Sequence, residues 1–216
     1  MTRAVYIGGF GNGRACAERV SDALGQHYED VYPFTFREAM NDTERVRRAV
    51  KNVDVLTHSA GMLAVRDTQP RLIAAFNAPV GGFTTQTALV ARSVIKTTRM
   101  HLPGVGIRSM EDAKAVAAYD LSAGVELALH AKENLRHLGA IASFDSIQTA
   151  YAAQRSGVPV HLMHTTGDEY FPWSHQDMAY AENSGVTVVG LGSGIHDELI
   201  IRPESTLATY YQELAQ

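Results

Sequence analysis

Short apolar runs alternate with longer amphipathic stretches along most of this chain, and that alternation restricts the fold more than any other feature. The runs are Ala4 to Ile7, "VYPF" at 31–34, Val53 to Thr57, "RLIAAFNAP" at 71–79, "VPVHLMH" at 158–164 and "VTVVGL" at 186–191. Helical patterns follow at Arg14 to Leu24, in "DTERVRRAVKN" with Asp42 as N-cap, between Ser59 and Pro70, and near Gln176 to Asn183. A last helix begins at Pro203, since proline suits the first helical position. Apolar strands separated by helices specify a parallel sheet covered on both faces.

The rhythm breaks from Phe83 to Gly139, where two or three helix-like stretches run without a clear strand. A helical cap inserted into a single domain is the simplest organisation, because dividing 216 residues between two independent cores would leave both small. After the insert, Asp145 fits an N-cap with Gln148 at capping-box spacing, and Ile147 and Tyr151 are expected to face inward. A net charge of -4 gives no cationic field for nucleic acid. The one cysteine, Cys16, forms no internal disulfide and is expected as a small buried group on a helix. No run reads as a signal sequence or approaches the ~20 apolar residues of a membrane span, which points to the cytoplasm.

Four segments hold candidates for chemistry. In "LTHSAG", 56–61, a strand runs abruptly into a helix at Ser59, which is either a helix cap or a nucleophile on a sharp turn. Gly61 supplies the small neighbour that such a turn requires, whereas Thr57 crowds it with a branched Cβ. "IGGFGNG", 7–13, offers backbone amides between a strand and a helix, and could serve an oxyanion, an anion or merely a tight turn. A dinucleotide fingerprint fails at Arg14, where its third glycine should be, and no P-loop lysine follows. Asp168 and His196 each come just past a strand, and so share the sheet edge with Ser59. Each alone reads equally as a turn aspartate or a surface histidine. Their order, Ser, Asp, His, each after a strand, gives the set its specificity.

On those residues the chain resembles the α/β-hydrolase superfamily, as a small serine hydrolase or esterase-like member. The resemblance covers nearly everything outside the cap and starts at the family's third strand, which implies a reduced, mainly parallel sheet of about six strands flanked by helices. It implies Ser59 as nucleophile, His196 as base and Asp168 as the acid that orients it. It also implies an oxyanion hole from the backbone N–H groups of Phe10 and Ala60, with Gly8-Gly9 standing where the family has His-Gly. Substrate is expected against Gly9, His58, Met62, Phe83 and Tyr170. Glu169 is a rival acid on the same turn. His58 is expected to pack near the elbow rather than act as base, His161 to be a satisfied strand histidine, and His164 to support the acid loop.

The implied activity is hydrolysis of a small carboxylic ester or thioester through an acyl-enzyme, without cofactor or metal. His161 and His164 point to opposite strand faces, and one cysteine makes no thiolate cluster. Amide or carbon–carbon bond cleavage, cofactor-free perhydrolysis, and noncatalytic binding of a small ligand are the alternatives. Between Arg92 and Arg108 lie Lys96 and Arg99 with no acidic residue, interleaved with Met100, Leu102 and Ile107. That stretch is either a solvated helix face or a cationic entrance for substrates bearing a carboxylate.

Overall fold

The computed structural model describes residues 2–80 and 86–215, for 86–93 the backbone alone. Strands β1 (Arg3–Ile7), β2 (Asp30–Phe34), β3 (Asp54–His58), β4 (Leu72–Phe76), β5 (Val160–His164) and β6 (Thr187–Gly190) form one sheet in the order β2-β1-β3-β4-β5-β6. Every neighbouring pair is parallel. The sheet is the reduced six-stranded one that the sequence implied.

Side-chain alternation divides the core into two layers. Ala4, Tyr6, Leu56, Ala74, Phe76 and Met163 project to one face, against α1 (Arg14–Leu24) and the chain's last helix. Val5, Ile7, Val55, Ile73, Ala75 and Leu162 project to the other, against residues from the helices that follow β2, precede β5 and precede β6. Both layers come from the same strands because successive residues point to opposite faces. Cys16 is buried on α1, as expected for a small apolar group.

After β2 come α2 (Phe36–Asn41) and α3 (Thr43–Ala49). Asp42 caps α3 through the Arg45 N–H. Sequence reading missed α2, although its start carries a capping box in which Thr35 accepts from the Glu38 N–H and Glu38 from the Thr35 N–H. The expected helix after Ser59 is a 3₁₀ helix, Ser59–Val65. The interval between β4 and β5 holds α4 (Gln86–His101), α5 (Met110–Leu129), α6 (Ala131–Ala142) and α7 (Ser146–Arg155). Asp145 caps α7 through the N–H groups of Ile147 and Gln148. Tyr151 is exposed rather than inward, because Ser146, Ile147 and Ala150 already form the buried face of α7. The chain closes with α8 (His175–Asn183), α9 (Glu198–Ile201) and α10 (Pro203–Leu214). Among the described residues no helix is long and apolar enough to cross a membrane.

The strand order reverses at β1: the chain steps outward to β2 and then returns to the opposite side of β1 as β3. Such a switch point leaves an open crevice at the carboxyl ends of β1 and β3. Ile7 and Thr57 are register partners, so the loops after β1 and β3 leave the sheet side by side. Gly61 makes this possible. A Cβ on it would lie 2.5 Å from the Ile7 carbonyl oxygen and 2.8 Å from that of Gly8, both backbone atoms. Replacement of Gly61 by alanine therefore forces the 3₁₀ helix away from β1, and is expected to lower stability by about 1–3 kcal/mol in urea unfolding. An unchanged midpoint would show that this contact does not constrain the elbow.

Candidate active site

Ser59 follows five buried strand residues and adopts φ +52. An L-residue in that left-handed region is strained by roughly 1–2 kcal/mol and persists only when its surroundings leave no alternative. Here the alternatives are blocked. His58 before it is extended, the 3₁₀ helix after it is packed into the core, and Gly9 lies against its side. A Cβ at Gly9 would meet the Ser59 Cβ at 2.8 Å and His58 Nδ1 at 3.0 Å, so the loop after β1 passes the serine without a side chain.

Asp168 and His196 meet across the ends of β5 and β6. Nδ1 of His196 lies 3.0 Å from both carboxylate oxygens of Asp168. Oδ1 of Asp168 also accepts from the N–H groups of Tyr170, at 2.9 Å, and Phe171, at 2.8 Å. A carboxylate is an acceptor, so Nδ1 of His196 carries a proton, and in the neutral ring the lone pair belongs to Nε2. That Nε2 is buried and has no hydrogen-bond partner among the described residues. The rings of Tyr170 and Phe171 stand edge-on to the imidazole at 5.1 and 5.3 Å.

The main chain of His196 is held as firmly as its ring. Its carbonyl accepts from His58 Nε2, at 3.0 Å, and from Asn77 Nδ2, at 2.8 Å. Asn77, itself at φ +48, accepts the Thr165 N–H at 2.9 Å through Oδ1. Nδ1 of His58 accepts from the Asn12 side-chain amide at 3.2 Å. The end of β3 and the loops after β1, β4, β5 and β6 are thus joined through buried polar groups. Burial and the neighbouring His196 push the pKa of His58 down to about 4, which keeps it neutral, and the carbonyl at Nε2 fixes the tautomer that donates from there.

Asp197 follows His196 and is wholly buried, with Lys96 Nζ 3.2 Å from one oxygen and His58 Nε2 3.9 Å from the other. Burial works against both charges of the lysine pair, yet the mutual attraction prevails: Lys96 is held above the usual lysine range and Asp197 below the usual carboxylate range. His58, His196 and Asp197 bring potential ligand atoms within 4.8 Å of one another. A metal ion does not suit this set, because both nitrogens of His58 are already bonded and an ammonium sits on the carboxylate.

Among the other sequence candidates, Ala60 and Phe10 belong to one apolar cluster with Phe36, Ile141, Tyr170 and Phe171, beside the serine. Met62, expected at the substrate, is instead fully buried under the sheet with Val5, Ile7 and Val55, because the 3₁₀ helix turns it away from the elbow. His58, expected at the substrate too, has no accessible surface to offer and serves the network above. Phe83 lies outside the described residues. Glu169 does not reach His196; its carboxylate lies 3.6 Å from Arg99. His161 meets the Tyr210 hydroxyl at 3.0 Å, and His164 stacks on Trp173 beside the acid loop. Lys96 forms neither a solvated face nor a cationic entrance, since its charge is buried and compensated. Asn12, Asn77 and Asp197 were missed, although Asn77 ends a strand and Asp197 adjoins the candidate base.

No family model and no curated protein matches the sequence. Solved structures do match the fold. An N-formylmaleamic acid deformylase from Pseudomonas putida S16 superposes with a TM-score of 0.67 at 13% identity, covering 97% of this chain and 91% of that one. A bromoperoxidase from Bacillus anthracis gives 0.66 at 12%, over 100% and 92%. An esterase from Rhodococcus sp. ECU1013 gives 0.61 at 13%, over 100% and 90%. This is an α/β-hydrolase fold. Within the α/β-hydrolase architecture, the loops after β1, β3, β5 and β6 converge on one edge, as the switch point requires.

The neutrality of His58 gives a test of the network. Between pH 6.5 and about 4 the unfolded chain binds a proton there that the folded chain excludes, so stability falls as pH falls through that window. About 2 kcal/mol is expected to be lost at this residue between pH 7 and pH 5, and His58→Gln should flatten the slope of urea stability against pH. An unchanged slope would assign the loss to other groups.

Proposed function

We propose that the protein is a serine hydrolase that cleaves a carboxylic ester or thioester of a small molecule. The observation that carries this reading is the pairing of a strained serine elbow with a buried histidine whose Nδ1 is clamped by Asp168 and whose Nε2 lone pair is unengaged among the described residues. A binding protein has no need of an imidazole oriented in this way. In the proposed reaction, Nε2 of His196 takes the Ser59 proton while Oγ bonds to the acyl carbon. Electrons shift to the carbonyl oxygen, and the backbone N–H groups of Phe10 and Ala60 stabilise it. Loss of one such donor typically raises a barrier by ~3 kcal/mol. The alkoxide or thiolate departs with the proton from His196. Water, deprotonated by the same nitrogen, then releases the acid and restores the serine.

The apolar cluster of Phe10, Phe36, Ala60, Ile141, Tyr170 and Phe171 adjoins the proposed oxyanion donors and suits the carbon skeleton of an acyl group. In this reading α4, α5 and α6 form a cap over the edge of the sheet, and α6 contributes Ile141 to that cluster. The structural neighbours named as an esterase and a deformylase are in keeping with acyl transfer. The compensated charges of Lys96 and Arg99 remove the main reason to favour anionic substrates.

Intact mass after exposure to a fluorophosphonate tests the assignment. One adduct is expected on the wild type, none on Ser59→Ala, and a much slower one on His196→Ala. Asp168→Asn should lower kcat on a short p-nitrophenyl ester by about 10⁴-fold, because the imidazole loses the partner that sets its tautomer. A folded wild type that forms no adduct would overturn the hydrolase reading in favour of ligand binding.

A further inference from the structure

Lys96 and Arg99 of α4 each reach an acid that stands next to a proposed catalytic residue. Lys96 reaches Asp197, the residue after His196, at 3.2 Å. One turn on, Arg99 reaches Glu169, the residue after Asp168, at 3.6 Å, and donates to the Gly167 carbonyl at 3.1 Å. Arg108 reaches Glu198 at 3.4 Å. Residues 96 and 99 share a helix face, so a single rigid element contacts both loops.

We propose that Lys96 and Arg99 are positioning residues, through which α4 holds the Asp168 loop and the His196 loop in one fixed relation. The proposal rests on the hydrolase reading above. Lys96 is buried, donates to the Tyr119 hydroxyl at 2.9 Å and lies 5.4 Å from the centre of the Tyr170 ring, so its direction is fixed from three sides. The two carboxylate oxygens of Asp197 have no hydrogen-bond donor among the described residues, which leaves the ammonium of Lys96 as their main compensating charge. Burial pushes the Glu169 carboxyl above the usual carboxylate range, and Arg99, 3.6 Å away, is one of the charges that oppose that shift. The loops are already in contact, since the Thr166 N–H donates to the Gly192 carbonyl at 2.9 Å and a Cβ on Gly167 would lie 2.3 Å from the Gly194 carbonyl. Backbone contact sets how near they are. The two ion pairs add direction at the peptide that follows each proposed catalytic side chain.

The experiment measures the second-order rate of fluorophosphonate labelling, and kcat and KM on a short p-nitrophenyl ester, for the wild type, Lys96→Met, Lys96→Arg, Arg99→Met and Lys96→Met/Asp197→Asn. Thermal melts accompany each. Misplacement of a reacting group by about 1 Å can slow a reaction up to about 100-fold, so Lys96→Met and Arg99→Met are expected to label at least about tenfold more slowly. The loss should fall on kcat with KM little changed. Lys96→Arg, which restores a cation to Asp197, should recover most of the rate. Lys96→Met leaves a buried carboxylate unpaired and risks unfolding, in which case the uncharged double variant and the half-exposed Arg99 decide. Folded variants that label at the wild-type rate, or losses in rate that merely follow the unfolded fraction, would overturn the proposal. An unlabelled wild type would instead remove the hydrolase reading on which it stands.

Discussion

The close approach of Gly61 to the carbonyls of Ile7 and Gly8 governs the geometry of the whole carboxyl edge. It brings the start of the 3₁₀ helix onto the end of β1, where a side chain would hold the two apart. Once they touch, the turn between β3 and the helix must be sharp, and Ser59 takes the left-handed conformation that such sharpness demands. The strain is supported by burial on either side: β3 is wholly buried before it, and Met62, Ala64 and Val65 are anchored in the core after it. Gly9 completes the arrangement, for its bare Cα lets the loop after β1 run along the serine.

A second constraint acts from the far end of the chain. The carbonyl of His196 is a buried acceptor that satisfies two donors, His58 from β3 and Asn77 from the loop after β4. This works only while His58 is neutral. In that state Nδ1 accepts from Asn12 and Nε2 donates to the carbonyl, whereas a protonated ring would set a donor against the Asn12 amide. Desolvation that depresses the His58 pKa therefore also preserves the orientation of the network. The Ser59 turn and the loop that carries His196 are coupled through a residue that is itself no part of the proposed chemistry.

The sheet was legible because buried parallel strands read as nearly continuous apolar runs, and Val55-Leu56 or Leu162-Met163 admit little else. Candidate site residues were legible because an α/β sheet collects whatever follows its strands at one edge. Burial of charge was not legible. Lys96 lies on a helix among other cations, and only the fold reveals that Asp197 comes to meet it; the paired acids in "GDEY" and "HDEL" were the available sign. Local geometry was harder still. The resemblance puts Met62 at the substrate, and the 3₁₀ turn sends its side chain below the sheet. Tyr151 sits four residues after Ile147, but the inward face of α7 was complete without it.

Stability alone gives a weak account of why a lysine and an aspartate are buried together beside His196. Removing both charges from water opposes folding by several kcal/mol, and apolar residues of the same volume are often as stable or more so. An ion pair differs from an apolar pair in having direction. A methylene group packs acceptably in many orientations, whereas the Lys96 ammonium stands between two polar groups, 3.2 Å from the Asp197 carboxylate and 2.9 Å from the Tyr119 hydroxyl. Directionality matters most where a displacement below 1 Å changes a proton transfer, and least in the middle of a core. The pair is found one residue from the imidazole and, through Lys96, one helical turn from Arg99 and its contacts with Glu169 and the Gly167 carbonyl.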